Sequence, residues 1–121
     1  MKVILVVDDT PANIDMVKGI LGKRYKLKVA TSGEKALKIA LKEPGPDLIL
    51  LDVMMPEMDG YETCEQLKAN PQTAEIPVIF VTANVDSKVR EKGVSLGAID
   101  FISKPIDPEK LIESVNLVID E

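Results

Sequence analysis

The hydrophobic pattern of this chain is dominated by three almost entirely apolar stretches, each of which stops at a polar side chain. They cover residues 2–7, 48–51 and 76–81, and the side chains that follow them are Asp8, Asp52 and Thr82. A continuous apolar run is typical of a strand that is buried on both faces, as in a parallel sheet covered by helices. The three stretches therefore predict the interior strands of such a sheet.

Two further strands are predicted with less burial. Residues 26–30 alternate polar and apolar side chains, which is typical of an edge strand. Residues 99–102 form a short fifth strand that ends at Ser103. In the fourth strand, residues 76–81, Pro77 lies near the beginning, where the missing N–H donor is tolerated.

Between the strands, apolar residues recur at helical spacing, and capping residues mark the helix starts. The predicted starts are Thr10–Pro11, Thr31–Ser32, Gly60, Asp86 or Ser87, and Asp107–Pro108. The third helix is predicted to reach about Ala69, and the fourth to reach Leu96, with Gly97 closing it. The core faces predicted for helices 1, 2 and 5 are Ile14, Val17 and Leu21; Ala36, Leu37, Ala40 and Leu41; and Leu111, Ile112, Val115 and Ile119.

The predicted elements alternate strand and helix five times without an internal repeat. Right-handed crossovers then give an open parallel sheet with helices on both faces. The apolar strands 1, 3 and 4 fit the interior, which predicts a doubly wound α/β fold with strand order 2-1-3-4-5. We expect residues 1–121 to form one domain of this class.

Composition narrows the range of functions. The chain has no histidine and one cysteine, Cys64, which excludes His-dependent nucleophilic triads and a zinc site of Cys and His ligands. A net charge of −5 argues against a nucleic-acid-binding surface. No apolar run is long enough for a membrane span. These features predict an acidic domain of cytoplasmic type that binds neither nucleic acid nor membrane.

Side chains of complementary chemistry follow the predicted strands at one edge of the sheet, where open α/β sheets bind ligands. Asp8 and Asp9 follow strand 1, Asp52 follows strand 3, Thr82 follows strand 4 and Lys104 follows strand 5. Converging carboxylates repel one another, and Mg²⁺, which prefers oxygen ligands, relieves that repulsion. A lysine and a hydroxyl beside such an ion suit a phosphoryl group, and a carboxylate can itself be the nucleophile.

Four segments together resemble the receiver domain of two-component response regulators. They are VVDD at 6–9, LLDVMMPEMDG at 50–60, VTA at 81–83 and GAIDFISKP at 97–105. The resemblance covers the whole chain with its motifs in the family's order. It implies a CheY-like fold in which Asp52 accepts a phosphoryl group from a phosphohistidine of a partner.

The resemblance also implies roles for the other site residues. Asp9, Asp52 and the backbone carbonyl of Met54 would bind Mg²⁺ or Mn²⁺ directly, and Asp8 would act through water. Lys104 would contact the phosphoryl oxygens and is commonly followed by a cis peptide bond to proline. Thr82 and Phe101 would form the switch, with Phe101 moving from an exposed to a buried rotamer.

The partners implied are a sensor histidine kinase or phosphotransfer protein and a downstream output domain or protein. Helix 4, strand 5 and helix 5 would form the output surface, which in the family also serves homodimers. The chain would catalyse its own phosphorylation and dephosphorylation without being a turnover enzyme. It could be a stand-alone regulator or a receiver cut from a longer protein, and we favour the latter.

Three alternatives remain from the sequence. A degenerate receiver would bind partners without phosphorylation. A flavodoxin-like FMN carrier is disfavoured because Asp8 and Asp9 would repel the cofactor phosphate and because Tyr25 and Tyr61 are the only large polar aromatics. A phosphatase of the haloacid-dehalogenase type would need Asp-x-Asp after the first strand, and here the two aspartates are adjacent.

Overall fold

The computed structural model describes residues 1–42 and 44–119, within which five strands alternate with five helices. The strands are β1 (Val3–Val7), β2 (Lys26–Ala30), β3 (Leu48–Asp52), β4 (Val78–Thr82) and β5 (Asp100–Ser103). The helices are α1 (Pro11–Leu21), α2 (Gly33–Leu41), α3 (Gly60–Ala69), α4 (Ser87–Ser95) and α5 (Pro108–Val118). No helix among the described residues has the length and apolar character needed to cross a bilayer.

The strands form one parallel sheet in the order β2-β1-β3-β4-β5, which confirms the predicted doubly wound topology. Register aligns the strand ends that carry polar groups. Asp52 lies opposite Val81, and Thr82 lies opposite Ser103. Because all strands run in the same direction, their carboxyl ends meet at one edge of the sheet.

The core has two halves, one on each face of the sheet, because successive strand residues point to opposite faces. In β3, Leu48 and Leu50 join one half with the inner faces of α1 and α5. Ile49 and Leu51 join the other half with α2 and α3. All four β3 side chains are at most 1% exposed. Burial of each is worth about 1.5–3 kcal/mol, which anchors Asp52 at the end of a rigid strand.

Side-chain caps fix the starts of four helices, because each cap oxygen accepts an otherwise unpaired backbone N–H. The caps are Ser32 to the Lys35 N–H at 3.2 Å, Asp59 to Glu62 at 2.9 Å, Asp86 to Val89 at 3.0 Å, and Asp107 to Glu109 at 3.0 Å. Thr10 occupies the N-cap position of α1, but its side chain makes no capping bond. Its N–H donates instead to Asp8 Oδ1 at 2.9 Å, so the start of α1 is fixed to the site.

Some predicted boundaries and burials were wrong. Strand 4 begins at Val78, because the Ile76 N–H donates to the Thr73 carbonyl at 3.1 Å in the preceding turn. Strand 5 begins at Asp100, and Ile99 is exposed. Leu41 was placed on the core face of α2, but it is 42% exposed because the helix ends there and the chain turns extended at the next residue.

Candidate functional site

Three carboxylates and one ammonium meet at the carboxyl ends of the strands. Asp8 follows β1, Asp52 ends β3, and Lys104 follows β5. The Lys104 Nζ lies 3.0 Å from Asp8 Oδ2 and 3.3 Å from Asp52 Oδ2. Asp9 completes the group, since one oxygen from each of the three aspartates lies within 4.8 Å of the others. The structure thus brings together four of the residues that the sequence placed at this edge.

Burial and charge act against the ionised form of Asp52. Its side chain is buried, and desolvation, followed by the charge of Asp8, raises its pKa from 3.8 although Lys104 opposes the shift. Lys104 behaves differently. Burial alone would lower its pKa, but the hydrogen bond to Asp8 and the charge of Asp52 outweigh that effect and raise it above 10.5. The single ammonium is shared between two carboxylates and lies closer to Asp8. The negative charge of Asp52 is therefore only partly compensated.

The replacement Asp52→Asn is therefore expected to stabilise the unphosphorylated protein at neutral pH, by about 1 kcal/mol. With a folded-state pKa above 3.8, the protonated carboxyl is the form that stabilises the fold. That contribution is complete below about pH 3.8 and is lost as the pH rises through the folded-state pKa. The advantage of Asp52→Asn should consequently be largest near neutral pH and shrink as the pH falls toward 3.8.

Urea unfolding at a series of pH values measures this difference. Asp15→Asn is the matched control, because Asp15 is an exposed residue of α1 and its replacement makes the same change in net charge. An Asp52→Asn gain that matches that of the control, or that does not change with pH, would contradict the electrostatic account of the site.

These carboxylates repel one another, and a hard divalent cation would relieve that repulsion. Two of them, Asp8 and Asp52, are buried and share a single ammonium, and Asp9 adds a third carboxylate. Mg²⁺ takes oxygen ligands and keeps several waters, which suits a site with one exposed wall. Asp9 is the exposed member of the group, and Met54, two residues after Asp52, is 74% exposed. The Met54 N–H donates to Asp52 Oδ1 at 3.4 Å, which keeps this loop against the site.

Thr82 is buried at the end of β4, one residue beyond the position that pairs with Asp52. Its hydroxyl oxygen accepts one long hydrogen bond, from the Asn84 N–H at 3.4 Å. Its carbonyl accepts the Lys104 N–H at 2.9 Å. The backbone thus ties β4 to the loop that carries the lysine, where the Lys104–Pro105 bond is cis as the resemblance implied.

Phe101 is packed rather than exposed in this structure. Its ring stacks on Phe80 with centroids 5.8 Å apart, and the Arg90 guanidinium lies 5.5 Å from its centroid. A Cβ on Gly93 would lie 2.5 Å from the ring, so α4 closes directly over it. The half-buried ring therefore occupies neither the fully exposed nor the fully buried extreme expected from the sequence.

Two contributions were missed at the sequence level. The contacts of Arg90 and Lys92 were not predicted: both side chains are exposed, but Lys92 Nζ lies 4.4 Å from the centroid of the Tyr61 ring and Arg90 Nε donates to the Val85 carbonyl at 2.9 Å. Gly60 was used only as a helix start and a motif residue. Its Cα approaches the end of β3 so closely that a Cβ would lie 2.7 Å from the Val53 Cα. In the sequence, a glycine soon after the end of a strand could have indicated this close packing.

Comparison with known families decides the assignment. The profile of the response regulator receiver domain matches residues 4–116. The chain belongs to this family. Receiver domains are signalling domains of two-component systems, and this chain shares their five-stranded fold.

Curated relatives place the receiver domain inside longer proteins. The chain is 47% identical over 103 residues to a probable cyclic di-GMP phosphodiesterase of Vibrio cholerae, a match covering 85% of the chain and 23% of that protein. It is 44% identical over 125 residues to the response regulator PleD of Caulobacter vibrioides, covering 98% of the chain and 27% of PleD. It thus spans about a quarter of each of these relatives.

Solved receiver structures agree with the fold. The chemotaxis protein CheY4 of Vibrio cholerae superposes with a TM-score of 0.92 at 30% identity, covering 98% of this chain and 99% of that one. The receiver domain of the sensor histidine kinase PA1611 of Pseudomonas aeruginosa has a TM-score of 0.89 at 27% identity, covering 99% and 98%. That structure holds a magnesium ion in its active-site cleft, which supports Mg²⁺ in receiver domains generally.

Proposed function

We propose that Asp52 is the phosphoacceptor and takes a phosphoryl group from a phosphohistidine of a sensor histidine kinase or phosphotransfer protein. The observation that carries this assignment is the position of Asp52 in the acidic group. It is buried at the end of a rigid strand, raised in pKa, and contacted by the Lys104 ammonium at 3.3 Å. A carboxylate held in this way is a positioned nucleophile beside a group that stabilises phosphoryl charge.

In the proposed step, a carboxylate oxygen of Asp52 bonds to phosphorus while the bond from phosphorus to the donor imidazole nitrogen breaks. The bonding electrons leave with the imidazole, and Asp52 becomes an acyl phosphate. Lys104 pairs with one of the phosphoryl oxygens and exchanges its present contacts with Asp8 and Asp52 for it.

A divalent cation would neutralise the negative charge that remains in the site. Asp9, Asp52 and the Met54 carbonyl would hold Mg²⁺, with Asp8 acting through water, and the ion would neutralise charge on the phosphoryl oxygens. This arrangement leaves the protein groups to orient the acceptor and exclude water. We place the domain in the cytoplasm, and we assign it no turnover activity beyond its own phosphorylation and dephosphorylation.

Intact mass spectrometry tests the assignment directly. After incubation with acetyl phosphate and Mg²⁺, the wild-type chain is expected to gain one phosphoryl group, and Asp52→Ala is expected to gain none. Chelation of Mg²⁺ should remove the gain. A wild-type chain that never gains mass would support the binding-only receiver, and a gain retained in Asp52→Ala would move the acceptor to another residue.

We further propose that Thr82 transmits phosphorylation. Its hydroxyl can exchange the long 3.4 Å bond from Asn84 for a short bond to a phosphoryl oxygen, because the present bond contributes little. That rotation changes the space beside Phe101, which packs under α4 between Phe80 and Gly93. The output surface formed by α4, β5 and α5 then repacks.

The replacement Thr82→Ala is expected to preserve phosphorylation of Asp52 but to weaken its effect on α4 and β5. Loss of one hydrogen bond of about 1 kcal/mol reduces the population shift roughly fivefold. Hydrogen exchange of these elements, with and without acetyl phosphate, measures the effect, and Thr82→Ser is the control that keeps the hydroxyl. An unchanged exchange response in Thr82→Ala would disprove the coupling through this side chain.

The output surface contains a groove with a volume of about 520 Å³ between α4, β5 and α5. Cations and acids both line it, including Arg90, Lys110, Asp107 and Glu113. Mixed charge around the half-buried Phe101 suits a polar interface with an output domain, a partner protein or a second copy of this chain. We propose that phosphorylation regulates one of these contacts.

A further inference from the structure

The outer edge of β2 presents backbone groups that no described residue pairs with. Within residues 1–42 and 44–119, β2 pairs with β1 and with no other strand. The Lys26 N–H and the Ala30 carbonyl are bonded to residues at the two ends of β1, at 2.9 and 3.1 Å. Because alternate residues of a parallel strand bond to the same side, the N–H and carbonyl groups of Leu27 and Val29 point outward.

The two faces of β2 differ in polarity along this edge. Leu27 and Val29 pack against the core half under α1 and α5. Lys26 and Lys28 alternate with them and share the face of Ala30, which belongs to the half under α2. Lys26 is exposed and Lys28 half-buried. A strand added here would therefore have apolar neighbours on one face and cationic neighbours on the other.

Charge is concentrated around this edge. Residues 18–43, which run from the end of α1 through β2 and α2, contain eight of the 15 lysines and arginines and two of the 20 acids. The rest of the chain is therefore strongly acidic. A long polyanion such as nucleic acid or an anionic bilayer would meet that repulsion, whereas a short acidic segment confined to the edge would not. The stretch also has no exposed aromatic ring on which bases could stack, since Tyr25 is buried.

We propose that the outer edge of β2 binds an acidic, extended segment of a partner protein as an added strand. Leu27 and Val29 supply its backbone hydrogen bonds. In this added strand, the residues beside Lys26 and Lys28 are Asp or Glu, and the residues between them are apolar. Lysines on an edge strand oppose pairing with uncharged or basic strands, so the same side chains that protect the edge select its ligand.

A peptide of four Val-Glu repeats, labelled with fluorescein, tests the proposal against the full chain. Fluorescence anisotropy should show binding that weakens with salt. The backbone amides of Leu27 and Val29 should shift in nuclear magnetic resonance spectra and exchange more slowly, because their N–H groups become bonded. A peptide N-methylated at alternate positions should not bind. Asp52→Ala should bind as wild type does, which separates this edge from the phosphoacceptor assignment.

Two double variants with the same change in net charge provide the decisive comparison. Lys26→Glu with Lys28→Glu should lower affinity about tenfold, since two attractive cross-strand pairs become repulsive. Lys88→Glu with Lys110→Glu, at exposed positions of α4 and α5, should leave it within about twofold. Equal losses in both variants, binding of the N-methylated peptide, or no binding at all would overturn the proposal. Preference for oligothymidylate or phosphatidylglycerol vesicles would overturn it in favour of another partner class.

Discussion

Replacing Lys104 by methionine is expected to lower the free energy of unfolding by about 2 kcal/mol in the absence of divalent cations. The ammonium lies 3.0 Å from Asp8 and 3.3 Å from Asp52, and its side chain is 18% exposed. Methionine keeps the length of the aliphatic part but removes the only cation that these buried carboxylates contact within the described residues. Their repulsion is then uncompensated, which destabilises the fold.

Divalent cations should reverse part of this loss. The Lys104 ammonium occupies the neighbourhood that Mg²⁺ would neutralise, so Lys104→Met should bind Mg²⁺ more tightly than wild type and gain more stability from it. Thermal unfolding across a Mg²⁺ titration measures both effects. Lys110→Met on α5 is the control for loss of a surface lysine. A Lys104→Met chain that matches this control in stability and in its response to Mg²⁺ would refute the role of Lys104 as an internal counter-ion.

The set of residues that share this sheet edge is the part of the structure that the sequence predicted best. Continuous apolar runs predicted the three interior strands, and the carboxyl ends of parallel strands lie at the same edge, so Asp8, Asp52 and Thr82 were expected together at that edge. The side-chain chemistry of these residues then predicted that the edge binds a metal ion and a phosphoryl group. Prediction succeeded here because periodicity and topology alone determine which residues share a sheet edge.

Properties that depend on packing between distant elements were not predictable in the same way. Phe101 contacts Phe80 and Gly93 only because α4 packs over β4 and β5. The sequence of α4 shows little hydrophobic periodicity from which this packing could be predicted, and Gly93 is its one buried residue. The sharing of Lys104 between two carboxylates, with the shorter contact to Asp8, depends on side-chain conformations. Such choices follow from three-dimensional packing and not from spacing along the chain.

The site also costs stability, in keeping with a functional role. Burial and the charge of Asp8 disfavour the ionised form of Asp52 and raise its pKa. Under the proposed function, phosphorylation and a bound cation would both change that balance and would favour the proposed change at Thr82 and Phe101. Gly93 is the one buried residue of α4, so α4 is the element that we expect to move most readily in the proposed switch.

The largest effect on stability is expected from Gly60→Ala, which should also slow the chemistry. The first residue of α3 packs against the end of β3, and its N–H donates to the Val53 carbonyl at 2.8 Å. A Cβ would press on the Asp52 carbonyl oxygen and lie 2.7 Å from the Val53 Cα, both backbone atoms that cannot rotate away. Separation of α3 from β3 should cost about 3 kcal/mol, as overpacking of a rigid contact does.

The same displacement should slow phosphorylation, because a shift of the acceptor by about 1 Å can reduce the rate roughly a hundredfold. Urea unfolding gives the stability, and a mass time course with acetyl phosphate at low temperature gives the rate for the folded fraction. Gly19→Ala on α1 is the matched control, since a Cβ there meets nothing within 4 Å and should stabilise the helix by about 0.5–1 kcal/mol. If Gly60→Ala were as stable and as reactive as wild type, the close approach of α3 would not position Asp52, and the site would rest on β3 alone.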